Sequence, residues 1–279
     1  MEEIFIKILP AILVICGFGV LYFAFKKLHN YRLIADTPTS KIRSMAIGIT
    51  EICGSAFAKD YIITPFSQTN CVHYSYEIKE YRRHTTTDSK GRTHTTYSWD
   101  TIATGSKSIA FFTKDDTGEA LINPTDAEFH VDVKRVFLQR AGMFGGISSI
   151  ISALTNWGNN QDSFLDVKSW NLEPLDPKNA FAFRFNSVGD RKYYEYFIEP
   201  NESIYVLGTA ANDRNAPNNV VILKGENEPT FIISNKSEQE LLKSLKWAVI
   251  GFFIGSIILI VIGVIIFLNN NGIIIIQNI

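Results

Sequence analysis

Two uncharged apolar runs bracket a long stretch of alternating residues. The first runs from Ile8 to Phe25 and the second from Trp247 to Leu268. A helix of roughly 20 apolar residues crosses a hydrocarbon layer about 30 Å thick. Each run therefore predicts a membrane-crossing helix, the first of barely sufficient length. Between them the pattern has period two. In CVHYSYEIKEY, Val72, Tyr74, Tyr76 and Ile78 fall on one face, and His73, Ser75, Glu77 and Lys79 on the other. That alternation predicts a strand with one buried side. It continues through RRHTTTDSKGRTHTTYSWDTIA, with a turn at Asp88-Ser89-Lys90-Gly91. The result is a long, Thr-rich, protruding hairpin that closes at Trp99.

Other strands follow the same logic. MAIGITEICGSAF reads as a strand with a bulge or bend at its glycines. SIAFFTK and EALINP flank the turn DDTG, and AEFHVDVKRVFL predicts one further strand. RKYYEYFIEP and NESIYVLGTA meet at Pro200-Asn201, and VVILKG and PTFIIS complete the series. Short strands separated by turn signals predict a mainly β domain, barrel- or sandwich-like, between two transmembrane helices.

Helical signals punctuate this pattern. Asp36 or Thr37 caps a short helix with Pro38 in its first position. In segment 142–157, Phe144, Ile147, Ile151 and Leu154 share one helical face opposite Ser and Thr residues. This uncharged amphipathic helix either packs on the domain's own sheet or lies on the bilayer, and those four side chains are the candidate membrane contacts. Ser237-Glu238-Gln239-Glu240 is a capping box that starts a helix running unbroken into the second span. The predicted segments are residues 1–26 (first span), 27–44 (juxtamembrane), 45–236 (β domain), 237–268 (capped helix and second span) and 269–279 (tail). Gly251 and Gly255, four apart in the second span, offer a small-residue face for packing on the first span or on a second copy of the chain.

Charge sets the expected orientation. Lys26, Lys27, Arg32, Lys41 and Arg43 follow the first run, and Lys236, Lys243 and Lys246 precede the second. The positive-inside rule then places the central domain in the cytoplasm and both termini outside. The acidic start, Met1-Glu2-Glu3, is unlike a signal peptide. A net charge of −1 gives no case for nucleic acid. Twenty Phe, eleven Tyr and four Trp reinforce the β reading. In a reducing compartment Cys53 and Cys71 are thiols, not a disulfide.

Candidate chemistry is sparse. No hydrolase, zincin or P-loop pattern is present. Asp115 and Asp116 are adjacent carboxylates, but they sit in a turn. Of the histidines, His84 and His94 flank the hairpin turn. With a four-residue turn they point to opposite sides, and a one-residue change brings them together diagonally. No cofactor or stoichiometric metal is expected.

The order of several short blocks resembles the GIDE family, also called the beside-a-membrane domain. These blocks are Gly48 and Gly54 in a strand, Thr64-Pro65-Phe66-Ser67, and Cys71-Val72 with Tyr74-Ser75-Tyr76-Glu77. Trp99, Asp115-Asp116-Thr117-Gly118 and Ile122-Asn123-Pro124 follow, then YFIEPNESIYVLG ending at Gly208, where Asn201-Glu202 replaces the family's usual glycine. The resemblance covers most of residues 45–210. It marks Gly54, Pro65, Cys71, Tyr74, Trp99, Asp116, Gly118, Pro124 and Gly208 as motif positions. It implies a domain held between two spans, as in membrane-anchored RING-type ubiquitin ligases of the mitochondrial outer membrane, where it faces the intermembrane space. That side is opposite to the charge reading. A RING needs eight zinc ligands in fixed order, and this sequence has no such array.

The expected function is therefore a membrane-tethered, non-catalytic domain that binds an unidentified protein or senses the membrane. Its other expected partners are the lipid bilayer and, through the second span, a second copy. The alternatives are an E3 ubiquitin ligase or accessory subunit, and a purely structural anchor.

Overall fold

The computed structural model describes residues 2–141, 172–175, 177, 186–214 and 216–271. The amphipathic segment 142–157, with Phe144, Ile147, Ile151 and Leu154, lies outside the described residues. The chain divides into two units, Met1–Pro38 with Ser237–Ile279, and Thr39–Lys236.

The first unit is a pair of helices, α1 (Glu2–Asp36) and α2 (Glu238–Asn270). Both contain stretches long and apolar enough to cross a membrane. The residues that follow the first apolar run do not form a separate capped helix. They extend α1 to Asp36, because nothing before Pro38 breaks the helix. A short 3₁₀ turn appears only later, at Ile42–Ser44. At the start of α2 the capping box forms. Glu240 N–H donates to Ser237 Oγ at 3.3 Å, and Ser237 N–H donates to Glu240 Oε2 at 3.1 Å. The helix then passes Trp247 without a break.

The second unit is built from strands. β1 (Gly48–Phe57), β6 (Phe111–Lys114), β7 (Glu119–Ile122), β12 (Ser203–Asn212) and β13 (Val220–Leu223) pair in a closed cycle. This is a five-stranded barrel, antiparallel except for β7 against β13. β14 (Ile232–Ser234) adds to β12, and β8 (Glu128–His130) adds to β14. Ile52, Phe111, Ile122, Ile204, Val206 and Ile222 fill the interior.

A second sheet has the order β10 (Glu173–Leu175), β9 (Val133–Gln139), β11 (Arg191–Ile198), β4 (His73–Thr87), β5 (Thr93–Ser108). β2 (Ile62–Ile63) and β3 (Asn70–Cys71) form a small ladder beside its aromatic core of Phe66, Tyr74, Tyr76, Tyr193 and Phe197.

Two segments depart from the sequence pattern. AEFHVDVKRVFL is not one strand. It breaks at Val131-Asp132, with β8 in the barrel sheet and β9 in the second sheet. Asp132 holds the break, its N–H on Asn235 Oδ1 at 3.1 Å and its carboxylate on Lys236 Nζ at 2.7 Å. Likewise β11 and β12 are not a hairpin, because the Pro200-Asn201 turn carries the chain from one sheet to the other. Asn201 has φ 63°, the left-handed region that glycine enters freely and asparagine tolerates. Asparagine therefore serves at this corner without a glycine. Its N–H donates to Ala56 O at 2.7 Å, tying the corner to β1.

Candidate functional site

The long hairpin sets up an exposed feature of the β unit. Pairing of β4 with β5 continues past Ile78 and Lys79, where one residue bulges, to Thr87 opposite Thr93. The turn therefore holds residues 88–92, one more than the sequence pattern predicts. Asp88 organises it, its Oδ1 accepting from Lys90 N–H at 2.9 Å and Arg92 N–H at 2.8 Å. His84 now opposes Thr96, and His94 opposes Thr86. The two histidines share a face diagonally, but they do not converge. His84 Nε2 meets Asp100 Oδ2 at 2.7 Å, toward the base of the ribbon and away from His94. Among the described residues, no group of three or more His, Cys, Asp or Glu is arranged to hold a metal ion.

At the ribbon's base stands Trp99. Tyr81 lies 5.3 Å from its ring and 5.9 Å from that of Tyr97, and Lys192 Nζ sits 4.5 Å above the indole. Beyond this cluster both strands are solvent-exposed on both faces.

Beneath the second sheet lies a buried carboxylate that no motif signalled. Glu195 is fully buried. It faces inward with Tyr193 and Phe197 because strand residues alternate. It caps the Thr64-Pro65-Phe66-Ser67 turn, accepting from Phe66 N–H at 2.6 Å and Ser67 N–H at 3.0 Å. Burial pushes its carboxyl pKa up, against the pull of the Ser67 and Phe66 hydrogen bonds and the Arg135 charge. Thr64 Oγ1 receives Thr69 N–H at 2.9 Å and shares a hydrogen bond with Ser67 Oγ, also at 2.9 Å. Pro65 is buried in the same turn. Cys71 is buried nearby, its Sγ 3.5 Å from Ile62 O. Burial, with the charges of Glu195 and Glu199, pushes its thiol to about 12, so it stays protonated. No disulfide joins it to the exposed Cys53. Burial also pushes the Tyr74 phenol to about 12. The one clue to Glu195 was its place in Y-Y-E-Y-F, at the parity of the core-facing residues.

The remaining motif residues scatter. Gly54 lies where β1 exchanges β12 for β6 as its neighbour, and a Cβ there would sit 2.6 Å from Lys114 O. Gly208 lies against Phe231 and Ile222, with room for no side chain. Pro124 is buried at the end of β7. In the DDTG turn, Asp115 Oδ1 accepts from Thr117 N–H at 2.6 Å and Gly118 N–H at 2.9 Å, and Oδ2 accepts from Ile42 N–H at 2.9 Å. Asp116 points outward to Lys41. The adjacent acids are thus turn structure. Three motif positions, Pro65, Cys71 and Tyr74, gather around Glu195, and the others do not join them.

In the helical unit, Gly251 and Gly255 have nothing within 4 Å of where a Cβ would stand. Close approach of α1 and α2 uses other glycines. A Cβ on Gly17 would meet Ile260, and one on Gly263 would meet Val14, Leu13 and the Pro10 carbonyl.

His73 is buried and stacked on Phe129 at 3.4 Å, with Nδ1 2.7 Å from Ser108 Oγ. Burial lowers its pKa to about 3, so the ring is neutral. Among the described residues, the histidine, thiol and carboxylates buried in the β unit make packing and hydrogen-bond contacts within it, and the ribbon beyond Trp99 is exposed. The fold defines a barrel-and-sheet β unit in a chain with two long apolar helices. A family model described as GIDE, E3 ubiquitin ligase, matches residues 160–267, which supports assigning the chain to the GIDE family. The match takes in β11 to β14, Gly208 and most of α2. Neither the curated proteins nor the solved structures include a match.

Proposed function

We propose that this chain is a two-pass membrane protein whose β unit acts by binding, beside a bilayer, in a ubiquitin-ligase-related setting. The observation that carries this reading is the outer surface of the paired helices. Ile15, Phe18, Phe23, Ile254, Ile257 and Ile258 are all exposed there. So much contiguous apolar surface is costly in water and favourable in lipid. The family description supports the ligase-related setting. The positive-inside bias favours a cytoplasmic β unit.

Binding is preferred to catalysis because the buried acids are engaged in holding structure. Glu51 accepts from Thr39 Oγ1 at 2.6 Å and from Tyr205 Oη at 2.8 Å. Asp190 accepts from Arg140 at 2.9 Å and from Ala141 N–H at 2.7 Å. A second reading, an accessory chain of a ubiquitin ligase, rests on the family description alone.

Alkaline carbonate extraction and reconstituted ubiquitination test the proposal together. The chain is expected to stay with the membrane pellet and to transfer no ubiquitin with E1 and a panel of E2 enzymes. Release by carbonate overturns the membrane reading, and ubiquitin transfer overturns the binding reading.

A further inference from the structure

We infer that the exposed ribbon of β4 and β5, residues 82–98, docks on an anionic lipid surface through Arg82, Arg83, Lys90 and Arg92. This rests on the membrane reading above and adds to it a lipid class and a contact surface.

Charge segregation is the first observation. Residues 39–236 carry twenty-one Lys and Arg against twenty-three Asp and Glu, so the unit as a whole is slightly acidic. Residues 82–98 carry four basic residues and a single acid, Asp88. Asp88 is already committed to the turn and to Arg92. Arg83 and Lys90 have no ion-pair partner among the described residues. Arg82 pairs with Glu80 yet remains half exposed.

Geometry is the second. β11 leaves β4 at Glu80, opposite Arg191, Tyr81 still bonds Gly189 and Asp190, and from Arg82 on, no further strand among the described residues pairs with either edge. Arg82 and Arg83 point to opposite faces, and Lys90 and Arg92 sit at the tip. Six residues per strand at about 3.3 Å each give a reach of roughly 20 Å, well beyond the ~8 Å over which salt screens charge. A free two-stranded ribbon is marginal in water and buries no apolar face. Core burial therefore gives no reason for its length. The Tyr81, Tyr97 and Trp99 cluster secures only its base.

The occupant follows from charge and connectivity. Guanidinium groups fit phosphate and carboxylate oxygens, and the threonine hydroxyls along both strands add short hydrogen-bonding groups. The β unit joins the helical unit directly at Pro38–Thr39 and at Lys236–Ser237. With the helices in a bilayer, the two covalent connections tether the β unit to a lipid surface and raise the effective concentration of headgroups for it, whereas an acidic protein would have to be captured from solution.

The test uses the full chain in nanodiscs of phosphatidylcholine, with and without phosphatidylserine. Ser89→Cys at the ribbon tip, in a Cys16→Ser, Cys53→Ser background, carries a fluorophore, and headgroup-labelled lipid is the quencher. Quenching is expected only in the phosphatidylserine discs and is expected to vanish at high salt. It should fall at least about tenfold in R82Q/R83Q/K90Q/R92Q and persist in R82K/R83K/R92K, at about one kcal/mol per basic residue near an anionic surface. Equal quenching in both discs, or quenching indifferent to the glutamine substitutions, overturns the inference. So does preferential capture of the tip by added polyglutamate, which would point to an acidic protein. Circular dichroism confirms that the variants fold. Co-elution of the chain with the discs tests the membrane reading separately.

Discussion

Glu195 and Phe66 stand 129 positions apart in the chain and meet through a 2.6 Å hydrogen bond from the Phe66 backbone N–H to the Glu195 carboxylate. The Thr-Pro-Phe-Ser turn is thereby fastened to the second sheet by a carboxyl group that solvent does not reach. In Glu195→Ala the Phe66 and Ser67 N–H groups lose their acceptor. At about 1–3 kcal/mol for each buried unsatisfied group, the β unit should lose several degrees of melting temperature. Because burial raises this carboxyl above its ordinary value of 4.5, the folded state holds the proton more tightly than the unfolded state. Its stabilising contribution is complete below the ordinary value and is lost as pH rises through the folded value. The stability of the native protein relative to Glu195→Gln should therefore decline over that window. Thermal melts across the pH range check this. A difference that grows with pH would contradict it.

Asp115 and Asp116 should separate cleanly on substitution. Asp115→Ala removes the acceptor for the backbone N–H groups of Ile42, Thr117 and Gly118 and should cost about 1–3 kcal/mol in denaturant unfolding. Asp116→Ala removes one exposed ion pair with Lys41 and should leave unfolding nearly unchanged. Desolvation raises the Asp115 pKa, but the hydrogen bonds from Ile42, Thr117 and Gly118 outweigh it and leave the group below its ordinary 3.8. Its contribution is present above that value and fades as pH falls through the lowered one. Equal losses for the two variants would refute the assignment of Asp115 as the strut of the turn.

The glycines of the helical unit should divide the same way. Gly17→Leu and Gly263→Leu force side chains into the facing helix, and overpacking of this kind costs about 1–3 kcal/mol. Gly251→Leu and Gly255→Leu meet open space and should leave the intramolecular helix pair unchanged. Unfolding of the four variants in detergent micelles, followed by circular dichroism, distinguishes them. Destabilisation by Gly251→Leu at low protein concentration would show that α1 packs elsewhere on α2.

Much of the local structure was legible. The capping box at Ser237, the unbroken α2, the alternation of Tyr74, Tyr76 and Ile78, and the turn role of Asp115 all follow from short-range spacing. The hairpin was legible except for one residue of its turn. That residue decides whether His84 and His94 share a face, and the bond to Asp100 then decides that they do not converge. Glu195 was hidden because a glutamate in a strand ordinarily marks the solvent side. Only the arrival of residues 66 and 67 gives its carboxylate a partner.

Hydrophobic spacing by itself determined the two apolar helices and the strand-rich middle, because both depend on residues within a few positions of one another. Tertiary structure decided where each strand belongs. Val72 and Tyr74 share one alternating face in the sequence, yet Val72 packs into the barrel core and Tyr74 into the aromatic core. The strands on either side of Pro200 look like a hairpin, yet they belong to different sheets. Pairing partners are chosen by the burial that distant strands achieve together, and a strand's own residues encode which face is apolar but not what will cover it.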